Sequence, residues 1–261
     1  MDGIGAAQIH WRMRPQRYRR PPPRAVDELD GLLLVDKPAG PTSHDIVDAV
    51  RRIFNLPKVG HGGTLDPGAT GLLILLLGRA TKLSQAVMST DKVYEGSLVL
   101  GVTTDTHDAE GAVLERRESA AVTREQLAAE FRKWVGDVEQ VPPMVSAIKK
   151  DGVALYKMAR HGKEVPREPR LLHIFDFALL NFAAPLAQFR VVCSKGTYVR
   201  TLCHDVGEGL GCGACMNTLH RVRSGTWDVK DAVRFEDLVE LDRAGLAARV
   251  LPLTSVNLRV P

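Results

Sequence analysis

The segment that most constrains this chain is Gly60-His61-Gly62-Gly63-Thr64-Leu65-Asp66-Pro67-Gly68-Ala69-Thr70-Gly71, followed at once by Leu72-Leu73-Ile74-Leu75-Leu76-Leu77. Five glycines in twelve residues rule out a helix or a regular strand and predict a long loop, presented by the core strand at 72–77. The glycines first suggest a phosphate-binding loop. Such a loop needs Lys-Ser/Thr after its last glycine, whereas Gly71 is followed by Leu72-Leu73, and the glycine spacing makes no dinucleotide fingerprint. No nucleotide cofactor is therefore expected. What remains is one carboxylate, Asp66, set before a rigid proline in a loop whose glycines allow another molecule's backbone to come close. Asp-Pro is also a common turn pair, so spacing alone leaves turn capping as the plain role of Asp66.

The apolar pattern supplies the frame around this loop. Leu32-Leu33-Leu34-Val35 suits a buried strand, closed by the turn Asp36-Lys37-Pro38-Ala39-Gly40. Thr42 with Asp45 makes a capping-box start, and Ile46, Ala49, Val50 and Ile53 share one helical face. Lys92 to Gly101, which contains Tyr94, is strand-like. A second helix starts near Thr123, with Leu127, Phe131, Trp134 and Val135 on one face and Gly136 to stop it. Residues 142–170 mix prolines and glycines with Lys149, Lys150, Lys157, Arg160, Lys163, Arg167 and Arg170, and form an excursion from the core. A strand at Phe189 to Cys193, a polar turn and a helix from Tyr198 or Val199 to Val206 follow. Strands and helices alternate without regular βαβ spacing, which points to an α+β fold with a mixed, largely antiparallel central sheet flanked by helices.

Charge is unevenly distributed. The chain carries a formal net charge of +4, but residues 1–24 hold six arginines against Asp2 alone, so residues 25–261 together are at −1. Residues 1–27 read as a disordered Arg/Pro-rich tail, since Pro15 and Pro21-Pro22-Pro23 forbid the amphipathic helix of a transit peptide. No apolar run approaches the roughly 20 residues a membrane helix needs. Cys212-Gly-Ala-Cys215 has half of a zinc-ribbon spacing, but Cys193 and Cys203 do not supply a second pair, so reduced thiols and no metal are expected.

The Asp66 segment, taken with Lys37-Pro38, Lys92-Val93-Tyr94, Leu100-Gly101-Val102-Thr103-Thr104-Asp105-Thr106, Pro142-Pro143-Met144 through Arg160, and Gly196-Thr197-Tyr198-Val199-Arg200-Thr201-Leu202, resembles the TruB family of tRNA pseudouridine synthases. These motifs occur in family order from about residue 30 to 227, and the likeness is greatest to the bacterial stand-alone enzymes. The resemblance implies the pseudouridine synthase fold in a catalytic domain at 28–250, with 142–170 as its basic RNA-gripping insertion. It implies isomerisation of a T-loop uridine of tRNA, position 55 in tRNA numbering, after base flipping, with no cofactor and no metal. Asp66 is then the family's invariant aspartate, nucleophile or general base in breaking the C1′–N1 bond before C1′–C5 re-forms. Arg200 is the arginine that pairs with it through a two-pronged contact. Tyr94 stacks on the base and helps remove the C5 proton. His61 fills the space the nucleotide vacates, Leu219 lines the uracil pocket, and Tyr198, Lys37, Lys149, Lys150 and Arg160 complete the substrate contacts. A cytoplasmic monomer whose partner is the tRNA T-arm, with no membrane contact, is the corresponding expectation.

Two departures from the family pattern stand out. Val145 occupies a position where relatives carry Tyr, and residues 251–261 read as a short extension where the family's C-terminal RNA-binding domain is absent or truncated. Two other functions compete with the isomerase: an RNA-binding or tRNA-folding factor that needs no turnover, and a glycoside or nucleoside hydrolase, which needs a second convergent carboxylate. Asp105 and Asp108 are available for that, in a turn that the resemblance makes structural. The tail should add affinity without specificity, because flexible arginines contact phosphates and release counterions. Deleting residues 1–24 is expected to flatten the salt dependence of tRNA binding; an unchanged slope in a salt titration would remove the tail from the binding surface.

Overall fold

The computed structural model describes residues 29–144, 146, 149–150, 153–154, 158 and 165–255. The basic tail, Val145 and Arg160 lie outside the described residues. In chain order the strands are β1 (Gly31–Lys37), β2 (Val59–His61), β3 (Thr70–Leu77), β4 (Lys92–Leu100), β5 (Val102–Thr104), β6 (Val113–Arg116), β7 (Gly136–Gln140), β8 (Lys149–Lys150), β9 (Val153–Ala154), β10 (Arg170–Ala183), β11 (Leu186–Cys193), β12 (Ala214–Ser224), β13 (Trp227–Asp228), β14 (Val233–Arg234) and β15 (Leu251–Pro252).

The continuous run at 72–77 is explained by where β3 lies. It pairs antiparallel with β1, Leu34 opposite Ile74, and both strands are covered on both faces. Leu33, Val35, Leu73, Leu75 and Leu77 enter the main core on one side. Leu32, Leu34, Leu72, Ile74 and Leu76 meet Ala80, Val87 and Trp227 on the other. A strand buried on both faces has no polar alternation to show. The sheet then runs in the order β14-β1-β3-β12-β4-β11-β10-β7, with β2, β13 and β15 at its sides. The β1–β14 and β3–β12 pairings are parallel and the others antiparallel, so the sheet is mixed and largely antiparallel.

Among the described residues three longer helices pack on the main core, to which two short ones add Phe235, Leu238 and Leu246. The helix Ser43–Ile53 starts with the expected capping box: Asp45 N donates to Thr42 Oγ1 at 3.1 Å and Thr42 N to Asp45 Oδ2 at 2.9 Å. Ile46, Val47 and Val50 are buried, but Ile53, assigned to the same face, is exposed because the helix ends there. The helix Arg124–Lys133 is capped by Thr123 and Gln126, and its Phe131 stacks on Phe177 with ring centroids 3.9 Å apart. Val135, expected on its apolar face, lies beyond the helix end and is exposed. The helix Val199–Gly209 runs one turn further than the sequence suggests, and seats Leu202, Cys203 and Val206 in the core.

The long hairpin β10–β11 was legible only in its second arm. Leu251–Pro252, assigned to the start of an extension, pair with Gly31 and Leu32, so the sheet continues past residue 250. All four cysteines are buried and unpaired.

The parallel contact of β3 with β12 places Gly71 opposite Arg221. Gly71 has φ +96°, and a Cβ there would lie 2.5 Å from Arg221 O and 2.8 Å from Arg221 N. Both the backbone conformation and the close approach demand glycine. Gly71→Ala is therefore expected to destabilise the fold by about 3 kcal/mol or more in urea unfolding; a wild-type midpoint would mean that the two strands can part without cost.

Candidate active site

The Asp66 loop leaves the sheet after β2 and returns as β3, and backbone contacts pin it along its length. Gly62 N donates to Ile74 O at 2.8 Å and Gly40 N to Pro67 O at 2.9 Å. Ser43 Oγ accepts from Leu65 N at 2.8 Å and donates to Leu65 O at 3.0 Å. Lys37 supports the loop from below. It is 0% exposed, and its Nζ donates to Pro38 O, Pro67 O and Ala69 O at 2.9, 3.0 and 2.7 Å. Burial pulls its pKa down to about 8, opposed by Asp66, so it remains charged at neutral pH. The expectation that Lys37 contacts RNA is thus corrected: with no exposed surface and its ammonium held by three carbonyls, it fixes the loop instead. From the other side Arg221, 2% exposed, donates through Nε to Leu72 O at 2.7 Å, Nη2 to Gly63 O at 3.1 Å and Nη1 to Thr64 O at 3.4 Å.

The carboxylate held in this way opens on a cavity of about 550 Å³, lined also by Tyr94, Tyr198, Arg200 and Leu219. Five of the residues singled out by the sequence therefore converge from a loop, two neighbouring strands and the start of a helix. Tyr94 comes from β4 and Leu219 from β12, where it pairs with Gly96. Tyr198 and Arg200 come from the N-terminus of the helix Val199–Gly209, and the Arg200 guanidinium carbon lies 5.7 Å from the Tyr198 ring centroid.

Arg200 is buried, and its Nη1 stands 3.4 Å from Asp66 Oδ2 and 3.3 Å from Asp108 Oδ2. The expected pair is present, and its nearest contacts divide one nitrogen between two carboxylates. Asp108 is held for this task, since its Oδ1 accepts from Thr106 Oγ1 at 2.6 Å and from Glu110 N at 3.2 Å. Burial raises the Asp66 pKa, with Arg200 acting against it, Asp108 adding to it and Lys37 lowering it. Burial also raises the Tyr94 phenol, opposed chiefly by Arg221, which leaves a neutral hydroxyl able to donate or accept.

The remaining expected residues lie elsewhere. His61 is half-buried at the end of β2, its Nδ1 accepting from Gly63 N at 3.4 Å, and it is not among the residues lining the cavity. Lys149 and Lys150 form the short strand β8. Asp108 was set aside as a turn residue, and Arg221 escaped notice, as did Lys195 at the cavity wall, where Arg170 of the cationic excursion also stands. Arg221 had a signal: in a strand it shares a face with Leu219, which puts a cation on an apolar side. Asp108 had none, because nothing in its spacing ties it to Asp66. Among the described residues no group of three or more His, Cys, Asp or Glu side chains is placed to hold a metal ion, and no helix is long and apolar enough to cross a membrane.

Comparison with known proteins gives this geometry its context. A model described as TruB family pseudouridylate synthase (N terminal domain) matches residues 51–199, and one described as tRNA pseudouridylate synthase B C-terminal domain matches residues 200–256. The two meet at the start of the helix bearing Arg200, so both matched segments build one sheet and one cavity. The tRNA pseudouridine synthase B of Syntrophotalea carbinolica is 53% identical over 208 residues, 80% of this chain and 68% of the relative. That of Opitutus terrae is 48% identical over 226 residues, 87% of this chain and 94% of the relative. Among solved structures, a chain of a Cbf5-Nop10-Gar1 complex superposes with a TM-score of 0.69 at 28% identity over 87% of this chain, which spans 61% of that chain's length. A chain from an H/ACA RNP bound to a substrate RNA containing 2′-deoxyuridine gives a TM-score of 0.66 at 25% identity, over 87% of this chain and 60% of that one. Fold, motif order and the matches over nearly the whole described chain agree: the chain belongs to the TruB family of pseudouridylate synthases.

Proposed function

We propose that this protein isomerises a uridine of the tRNA T loop to pseudouridine. The observation that carries the proposal is a single carboxylate, Asp66, set on a pinned loop at the wall of a nucleotide-sized cavity and paired there with a buried arginine. The target nucleotide must leave its stack, at a cost of a few kcal/mol offset by contacts in the cavity and along the RNA backbone. Asp66, as nucleophile or base, breaks the C1′–N1 bond; the electron pair stays with uracil, which turns within the cavity. C5 then bonds to C1′, the C5 proton departs with help from the Tyr94 hydroxyl, and N1 takes up a proton. The product is an isomer, so no co-reactant is consumed.

The position of Asp108 favours this over hydrolysis. A glycosidase needs a second carboxyl group facing its substrate, whereas Asp108 is nearly buried and engaged by Arg200, Thr106 and the Glu110 backbone. On this reading the protein acts as a monomer on the T-arm of cytoplasmic tRNA. The cations of residues 142–170 would grip phosphates while the cavity takes the extruded base. The test is to incubate a tRNA transcript with the protein and map pseudouridine by carbodiimide primer extension. A new stop at the T-loop uridine is expected. Tight binding without any stop would favour an RNA-binding factor instead.

A further inference from the structure

An arginine on the buried face of a strand is costly unless its charge and N–H groups find partners. Arg221 on β12 meets that demand within a single stretch of chain. Leu72 O, Gly63 O and Thr64 O, the three carbonyls its guanidinium reaches, all belong to the segment that carries Asp66 or to the strand it enters. Strand register places the same residue opposite Tyr94 on β4 and beside Gly71 on β3. The lack of a side chain at Gly71 is what lets β3 and β12 approach so closely. Arg221 also lines the cavity, and its positive charge bears on the Tyr94 phenol against the effect of burial. One planar group thus touches the loop of the proposed nucleophile and faces the proposed proton acceptor.

We propose that Arg221 is a positioning residue of the active site: its guanidinium clamps the Asp66 loop onto β3 while facing Tyr94, and so fixes the carboxylate and the phenol relative to each other. This rests on the catalytic roles proposed for Asp66 and Tyr94. A planar fork reaches three carbonyls from one side chain, which the compact ammonium of lysine cannot do. Without the clamp the loop can shift, and a displacement of about 1 Å at a reacting group costs about 100-fold in rate. RNA affinity should be spared, because Arg221 is buried and makes its contacts to the protein backbone.

Arg221→Met and Arg221→Lys test this through three measurements: single-turnover conversion of a T-arm transcript, equilibrium affinity for that transcript, and the pH titration of the Tyr94 ¹³Cζ resonance, assigned with Tyr94→Phe. Arg221→Met is expected to slow conversion by about 100-fold with affinity held within about threefold. Tyr94 should titrate at higher pH in this variant, since the charge opposing burial is gone. Arg221→Lys should leave the Tyr94 titration near that of the wild type, yet remain slower by about tenfold or more, because charge without the fork does not restore the clamp. Wild-type turnover in either variant, a rate loss matched by weaker binding, or an unmoved Tyr94 titration in Arg221→Met would overturn the proposal. If Arg221→Met does not fold, the rate of Arg221→Lys decides alone. The resonance requires no turnover, so it reports whether the Arg221 charge faces Tyr94 even if the wild-type protein never converts uridine, a result that would sink the proposed reaction.

Discussion

Asp66→Asn is expected to reduce pseudouridine formation by about 10⁴-fold or more while changing tRNA affinity by less than about threefold. The amide keeps the size of the carboxylate and can still sit beside Arg200, but it can neither attack C1′ nor take a proton. Binding should survive, because it rests on phosphate and stacking contacts spread over the RNA rather than on one side chain of the cavity. Burial lifts the Asp66 pKa above the ordinary carboxylate range, with Arg200 and Lys37 working against the rise. The proposed chemistry needs the ionised form, so activity should fall as the pH drops through that raised value, and the acid limb of the rate profile should lie higher than for a free aspartate. Removing the Arg200 charge should push the limb higher still. Single-turnover rates against pH, with filter binding on the same samples, check both parts; pseudouridine formed by Asp66→Asn at more than trace rates would make the assigned chemistry wrong.

Arg200→Lys carries the second large effect, a loss of about 100- to 1000-fold in turnover with the fold retained. The guanidinium lies between Asp66 and Asp108, at 3.4 and 3.3 Å from their nearest oxygens, and is almost fully buried. Both carboxylates are partly or largely withdrawn from water and meet at this one cation, which also favours the ionised form of Asp66 against burial. A lysine supplies the charge at a single point on a shorter, more strongly hydrated head, and cannot hold both oxygens in place. Thermal unfolding within a few degrees of wild type, together with the slow turnover, is the expected pattern. Near-native rates would mean that the shared cation is idle in catalysis. Deleting the side chain altogether would test less, because it would leave Asp66 and Asp108 facing each other uncompensated in a partly dry site.

Local signals carried much of this molecule. The capping box at Thr42, the helix start at Thr123 and the core strand at 72–77 follow from short-range rules, and the structure reproduces them. The loop around Asp66 was equally plain, since its glycines and its proline admit few other structures. Where the sequence failed, the missing information was mutual position. Lys37 entered the substrate contacts through the family resemblance, and only the fold shows it enclosed under the loop with three carbonyls around it. Ile53 and Val135 fit their helical faces by periodicity but lie at or past the helix ends, where the face no longer meets the sheet.

The sequence by itself determined the class of fold, the loop that presents one carboxylate, and, through its ordered motifs, the residues Tyr94, Tyr198, Arg200 and Leu219 that gather around that carboxylate. Tertiary structure alone decided which charges face one another. Asp108 meets Arg200 across 92 residues of chain, and Arg221 reaches Thr64 across 157. Helix and strand periods describe neighbours a few residues apart, whereas the sharing of one guanidinium by two carboxylates is set by strand order and register, which bring β3, β12 and β4 side by side. In a buried site an ion pair depends on distances of a few ångströms and on the loss of water around it, and neither quantity exists until the sheet has closed.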